Sequence, residues 1–263
     1  MKTISVSGKG GTGKSMLTAL LSKVLSEKGL IVYTVDSDES NPGLYKALGF
    51  NEAPKPLMDL FGGEQKVMEE LKRKLTNTES EQRNEWIKRE KFSPAELPQE
   101  YFLQKDGLRL LTVGKIISAF EGCACPMAEV LRLFLERLDL KDNEVVIVDM
   151  EAGVEHFGRG VDKNLDVALI LVEPSFESSA LATKVNLLAR QSGMREVWAV
   201  INRVTSQAVE NKLQDRLKKT GVKVIGTVYY DQQVADSNLD GLPLGESQAK
   251  KEVRMIADKL FAK

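Results

Sequence analysis

The sequence predicts an α/β fold, a mostly parallel, doubly wound sheet flanked by helices, in a single domain over 1–263. Three observations carry this expectation. Strand-like and helix-like stretches alternate along the chain. Several strand-like stretches are continuous apolar runs, as strands buried on both faces require. The first of them opens into Gly8-Lys9-Gly10-Gly11-Thr12-Gly13-Lys14-Ser15, which fits the phosphate-loop pattern G-x-x-x-x-G-K-[ST] and is followed at once by a helical pattern.

The elements follow in order. Thr3-Ile4-Ser5-Val6-Ser7 reads as the first strand, within 2–7. Leu17, Leu20, Leu21, Val24 and Leu25 then lie on one stripe, which predicts a helix over 14–28. Further strands are expected near 31–36, 109–113, 144–149, 166–172, 197–202 and 223–228. Helices are expected over 126–138, 178–192, 206–220 and 247–262. The segment 64–106 departs from the alternation. It is densely charged, yet Val67, Leu71 and Leu75 recur at helical spacing, so part of it is an amphipathic helix. An exposed helical insertion and a partner-docking surface both fit that pattern.

The loop carries the chemistry of a P-loop NTPase. Its glycines let successive N–H groups turn toward phosphate oxygens, and the helix N-terminus adds its positive dipole end. Lys14 can reach the β- and γ-phosphates, and the Ser15 hydroxyl can hold Mg²⁺. Lys9, directly after the first glycine, completes the stricter octet G-K-G-G-x-G-K-[ST].

Bulk properties bound the rest. An apolar fraction of 42% is enough for a core, and a net charge of −1 gives no reason to expect nucleic acid. There is no apolar run long enough for a membrane span. The N-terminus enters a strand directly, so a cytoplasmic protein without a signal peptide is expected. In such a compartment the two cysteines are not expected to form a structural disulfide.

Ligands of open parallel sheets sit beyond the carboxyl ends of the strands. The second strand ends in Val35-Asp36-Ser37-Asp38 and the fourth in Val148-Asp149. Asp149 reads as a ligand of Mg²⁺ or its water, and Asp36 as metal support. Asp38 reads as the group that orients or deprotonates the attacking water. Gly153, in Met150-Glu151-Ala152-Gly153, could bring its N–H to a γ-phosphate. The sixth strand ends at Asn202-Arg203, both counted with the nucleotide-binding residues. The Asn202 amide offers a donor and an acceptor to a purine edge, and a turn former fits the position equally well.

Cys123-Ala124-Cys125-Pro126 precedes a helix whose first residue suits proline. Thiolates there are stabilised by the helix dipole. Two thiolates do not complete a tetrahedral site, but a homodimer would supply four across its two-fold axis. Such a site suits Zn²⁺, Ni²⁺, Cu⁺ or an iron–sulfur cluster, and buried structural thiols or a redox disulfide fit the spacing as well.

On these residues the chain resembles the SIMIBI-class deviant Walker A (MinD-like) ATPases. The octet 8–15, the Val-Asp-x-Asp of 35–38 and the Asp-x-x-Ala-Gly of 149–153 carry the match. More narrowly, it is similar to CooC-type accessory ATPases that mature nickel carbon monoxide dehydrogenase. The stretch from Asp149 to Gly160, the run Val172-Glu173-Pro174-Ser175 and the Cys123-x-Cys125 pair support that. The resemblance implies a homodimer that uses ATP/ADP and Mg²⁺ and binds Ni²⁺ (or Zn²⁺) at a dimer-bridging Cys₄ site. It would load nickel into carbon monoxide dehydrogenase or acetyl-CoA synthase, without nucleic acid or membrane. Carried over, Lys9 acts in trans on the partner's nucleotide, Asp38 activates water, Asp149 supports the metal and Asn202 meets adenine. Glu39 departs from the proline that often follows the second aspartate. His156 lies in the same stretch as Gly153 and is read as a packing residue, not a ligand. An electron donor like nitrogenase iron protein, a positioning ATPase and a non-hydrolysing nucleotide-dependent scaffold are the competing functions. The adjacency of the two cysteines counts against the first. Against the second, 248–263 reads as a helix packed on the sheet.

Overall fold

The computed structural model describes residues 2–38, 43–76, 84–114, 125–154, 160–194 and 196–262. Among these, the strands are β1 (Thr3–Gly8), β2 (Ile31–Asp36), β3 (Leu103–Lys105), β4 (Leu108–Thr112), β5 (Glu144–Asp149), β6 (Val167–Val172), β7 (Glu196–Val204) and β8 (Val224–Tyr229). They form one sheet in the order β3-β4-β2-β5-β1-β6-β7-β8. All pairings are parallel except β3 with β4. The phosphate-loop strand β1 is therefore central, and the chain winds outward from it in both directions.

The helices are α1 (Lys14–Glu27), α2 (Leu44–Leu48), α3 (Leu57–Leu60), α4 (Gly63–Thr76), α5 (Glu85–Lys88), α6 (Cys125–Arg137), α7 (Phe176–Gln191), α8 (Gln207–Lys219), α9 (Gln232–Asp240) and α10 (Gln248–Phe261). One apolar core lies between the sheet and α1, α2 and α10. It contains Leu17, Leu20, Leu21, Val24 and Leu25, all fully buried. The other face carries α6, α7 and α8. Ser175, Ser206 and Ser247 cap α7, α8 and α10, each accepting an N–H of the first turn. Helix α1 instead starts from Gly13 with no side-chain cap, which leaves its N-terminal donors to a ligand.

The insertion is not an exposed appendage, and this corrects one of the two sequence readings. Its α4 is amphipathic as expected, with Val67 fully buried. Beyond it, Ile87, Phe92, Leu97, Tyr101 and Phe102 join the core over α6. Arg137 of α6 fastens the segment by donating to the carbonyls of Ile87 and Arg89. Most of its charge lies on the outer face, while Glu70 is buried and paired with Arg73. Strand β3 was also not expected. It hairpins back onto β4 through Asp106-Gly107, both at positive φ (48° and 78°), as a tight primed turn demands.

The C-terminal helix α10 packs as anticipated. Val253, Ile256 and Leu260 are buried, while Lys250 and Arg254 pair with Glu27 of α1. Its basic residues are thus partly neutralised within the chain. No helix among the described residues is long and apolar enough to cross a membrane.

Beside that contact, Lys23 of α1 donates to the Leu244 carbonyl. Burial, with Lys250 and Lys105 nearby, lowers its pKa to about 8, against an opposing pull from Glu27. Between about 8 and its ordinary value the unfolded chain binds more protons than the folded one. Stability from this group therefore rises with pH across that window. Chemical denaturation of wild type and Lys23→Met from pH 7.5 upward checks this. The wild type should gain on the variant as pH rises, and parallel curves would contradict the shift.

Candidate nucleotide site

The strand register assembles the site. Asp36 at the end of β2 is directly paired with Asp149 at the end of β5. Val6 of β1 pairs with Asp149 on one side, and Gly8 pairs with Leu171 of β6 on the other. The row continues to Val200 of β7, and Asn202 follows two residues further along the same strand. The carboxylates therefore stand on one flank of the loop and the Asn202 amide on the other.

Close approach explains two glycines. At Gly8 a Cβ would meet the Leu171 carbonyl at 2.7 Å, and φ is +149°. At Gly13, with φ +95°, a Cβ would fall 2.8 Å from the Asn202 Nδ2. Gly10 and Gly11 lie in the turn between them, and the Thr12 N–H and hydroxyl both donate to the Lys9 carbonyl, at 3.3 and 2.8 Å.

Lys14 is 5% exposed, and its Nζ stands 3.8 Å from Asp38 Oδ2. The Asp38 N–H donates to Asp36 Oδ1 at 3.2 Å, so both strand-end aspartates share one turn. Asp149 is fully buried. It accepts from Thr18 Oγ1 at 3.4 Å and hydrogen-bonds with Ser15, while its Oδ2 has no partner. Burial pushes its carboxyl up to about 7, opposed by the Ser15 hydrogen bond. The nearby Asp36 and Asp38 charges raise it further, and Lys14 opposes them. A buried carboxylate oxygen without a partner, among hydroxyl and carboxylate donors, fits a hard cation such as Mg²⁺. Among the described residues no three His, Cys, Asp or Glu side chains form a ready metal cage. That suits Mg²⁺, which keeps water and phosphate in its shell. Ser15, Asp36 and Asp149 are the residues that would hold it.

Two placements differ from expectation, and a third contact was not foreseen. The Gly153 N–H donates to the Gly8 carbonyl at 3.3 Å, so here it closes on the loop and does not stand open for a phosphate. Strand β7 does not end at Asn202 but runs to Val204, with a register shift between Asn202 and Val204. In the single chain Lys9, which the resemblance gives a role in trans, pairs with Glu173 at 3.2 Å. Glu173 was visible in sequence only as part of a matched run, and its role was missed. The signal was there: a carboxylate directly after the fully buried strand β6, which the register sets beside the loop.

Asn202 is fully buried and its Nδ2 donates to the Thr12 carbonyl at 2.7 Å. Its Oδ1 has no partner. The residue lines a cavity of about 170 Å³ with Met16, Arg203, Tyr230 and Asp231. The expected cysteine ligands Cys123 and Cys125, with Glu39 and His156, lie outside the described residues, except that Cys125 begins the α6 backbone.

Comparison with known proteins agrees with this geometry. An uncharacterised ATP-binding protein of Methanocaldococcus jannaschii is 40% identical over 255 residues, covering 96% of this chain and 98% of that protein. The carbon monoxide dehydrogenase accessory protein CooC of Rhodospirillum rubrum is 29% identical over 243 residues, covering 91% and 88%. In fold, the chain is similar to the MinD cell division protein of Aquifex aeolicus, with a TM-score of 0.69 at 22% identity over 100% of this chain and 98% of that one. The septum site-determining protein MinD of Pyrococcus horikoshii, solved with Mg-ADP, gives 0.68 at 19% identity over 99% and 96%. The model of the CobQ/CobB/MinD/ParA nucleotide-binding domain matches residues 3–244, and the chain belongs to that family of nucleotide-binding ATPases.

Proposed function

We propose that the chain is a Mg²⁺-dependent ATPase that works as a homodimer and loads nickel into a client enzyme. The clients proposed are carbon monoxide dehydrogenase or acetyl-CoA synthase. The observation that carries this reading is one of topology. Strand β4 ends at Thr112, paired with Asp36 of the nucleotide site, and the next described helix opens at Cys125. The Cys123-x-Cys125 pair thus falls in the connection that leaves the nucleotide end of the sheet. Similarity to CooC supports the same assignment.

In this reading the chain's own groups divide the work. Lys14 and the N–H groups of the loop hold the phosphates. Asp38, buried and fixed by its turn with Asp36, orients the attacking water. Mg²⁺, when bound, supplies charge against the phosphate oxygens. Asn202 recognises the base: with Nδ2 committed to Thr12, Oδ1 is left as a buried acceptor suited to an adenine amino group. Lys9 must leave Glu173 to reach a partner's nucleotide, which ties dimer formation to breaking a half-exposed ion pair. Such pairs are worth about 0–1 kcal/mol, so the release is cheap. Nickel is cargo, held by four thiolates from two chains.

Titration of the reduced protein with Ni²⁺, beside Cys123→Ser and Cys125→Ser, tests this. The expected result is one nickel per two chains, lost in both variants. Absence of nickel binding by the wild type, or binding that both variants retain, would remove the nickel assignment. Co-purifying iron and sulfide would favour an electron-transfer role instead.

A further inference from the structure

The β7 bulge has a purpose that the assignments above leave unused. Arg203 has φ +57°, and among the described residues only it and Asp106 are non-glycine residues at positive φ. A side chain in that region is strained, and such strain persists where the surroundings require it. The strain accompanies the register shift of β7 against β8 between Asn202 and Val204. Its effect is to break the strict alternation of side chains along the strand. Two neighbouring residues thereby reach the same loop. Asn202 Nδ2 meets the Thr12 carbonyl, and Arg203 Nη1 meets the Gly11 carbonyl, each at 2.7 Å.

We infer that Arg203 is a positioning residue for the phosphate loop. It acts through the Gly11 carbonyl and not on the nucleotide itself. Consecutive carbonyls drawn toward β7 fix the peptide planes of Gly11 and Thr12 before any ligand arrives. That sets the loop backbone, the Gly13 N–H included, before a phosphate arrives, so less ordering remains for binding to supply. The inference rests on 8–15 being the nucleotide site and adds a group that sequence reading had counted as a direct ligand.

The test compares Arg203→Ala, Arg203→Lys and Arg203→Gly with the wild type. Mg-ADP and Mg-ATP affinities are measured by calorimetry, and amide exchange of residues 9–13 is measured without nucleotide. Arg203→Ala should weaken both nucleotides by the same factor, about three- to ten-fold, the size of one ordinary net hydrogen bond. Loop amides should exchange faster, and kcat/KM should fall mainly through a raised KM. Arg203→Lys should recover part of the affinity, since an ammonium can still donate to Gly11. Arg203→Gly suits the positive φ, so it should unfold no earlier than the alanine variant while binding as weakly. Unchanged affinity and exchange in Arg203→Ala would overturn the inference. A loss of turnover with affinity intact would do the same, by placing the guanidinium at the reacting phosphate. If the wild type binds neither nucleotide, the reading of the loop itself fails.

Discussion

Lys14→Met should lose ATP hydrolysis by a factor on the order of 10³, the scale for removing a charge-stabilising group from a preorganised site. The reasoning is electrostatic. Lys14 is buried beside Asp38, and its charge also bears on Asp149, whose carboxyl already rises to about 7. Removing the cation leaves Asp36, Asp38 and Asp149 facing an incoming polyphosphate of the same sign. Methionine keeps the stem length and the packing, so the defect falls on charge. Folding is checked by thermal unfolding beside the wild type. A folded variant with wild-type turnover would show that the loop is not the catalytic site.

Phe92→Ala should destabilise the chain by about 3–5 kcal/mol, as large-to-small changes in a packed aromatic core do. Phe92 is 2% exposed and packs edge-on against Trp86 at 5.2 Å and against Phe134 of α6 at 5.9 Å. Its backbone also donates to the Arg137 carbonyl and accepts from the Asp139 N–H. The insertion is therefore part of the support of α6. Denaturant unfolding measures the loss. A change below about 1 kcal/mol would mean that the segment is the loose appendage its charge suggests, since surface substitutions fall in that range.

The contrast between these two positions explains what could be read in the sequence. The phosphate loop is a local pattern in which each residue type has one mechanical reason, so eight consecutive letters define it. The aspartates at strand ends were legible because apolar runs locate the carboxyl edge of a parallel sheet. The insertion misled because charge density reports mainly the outer face, whereas Ile87, Phe92, Leu97 and Tyr101 recur at intervals of five, five and four residues, which match neither the helix nor the strand period. The β3 hairpin carried a readable sign in Asp106-Gly107, but a three-residue edge strand is too short for alternation to register. The contacts of Arg203 with Gly11 and of Glu173 with Lys9 depend on strand order and register. No local pattern specifies those, and only the assembled sheet brings the partners together.

The central claim is that nucleotide at this site drives two chains together, and sedimentation of the reduced protein tests it most directly. With Mg-ATP and a hydrolysis-deficient Asp38→Asn variant, the mass should be twice the 29.2 kDa of one chain. It should return to one chain when Lys9→Met is added. A mass that stays at one chain with Mg-ATP, or a dimer indifferent to both nucleotide and Lys9, would contradict the account.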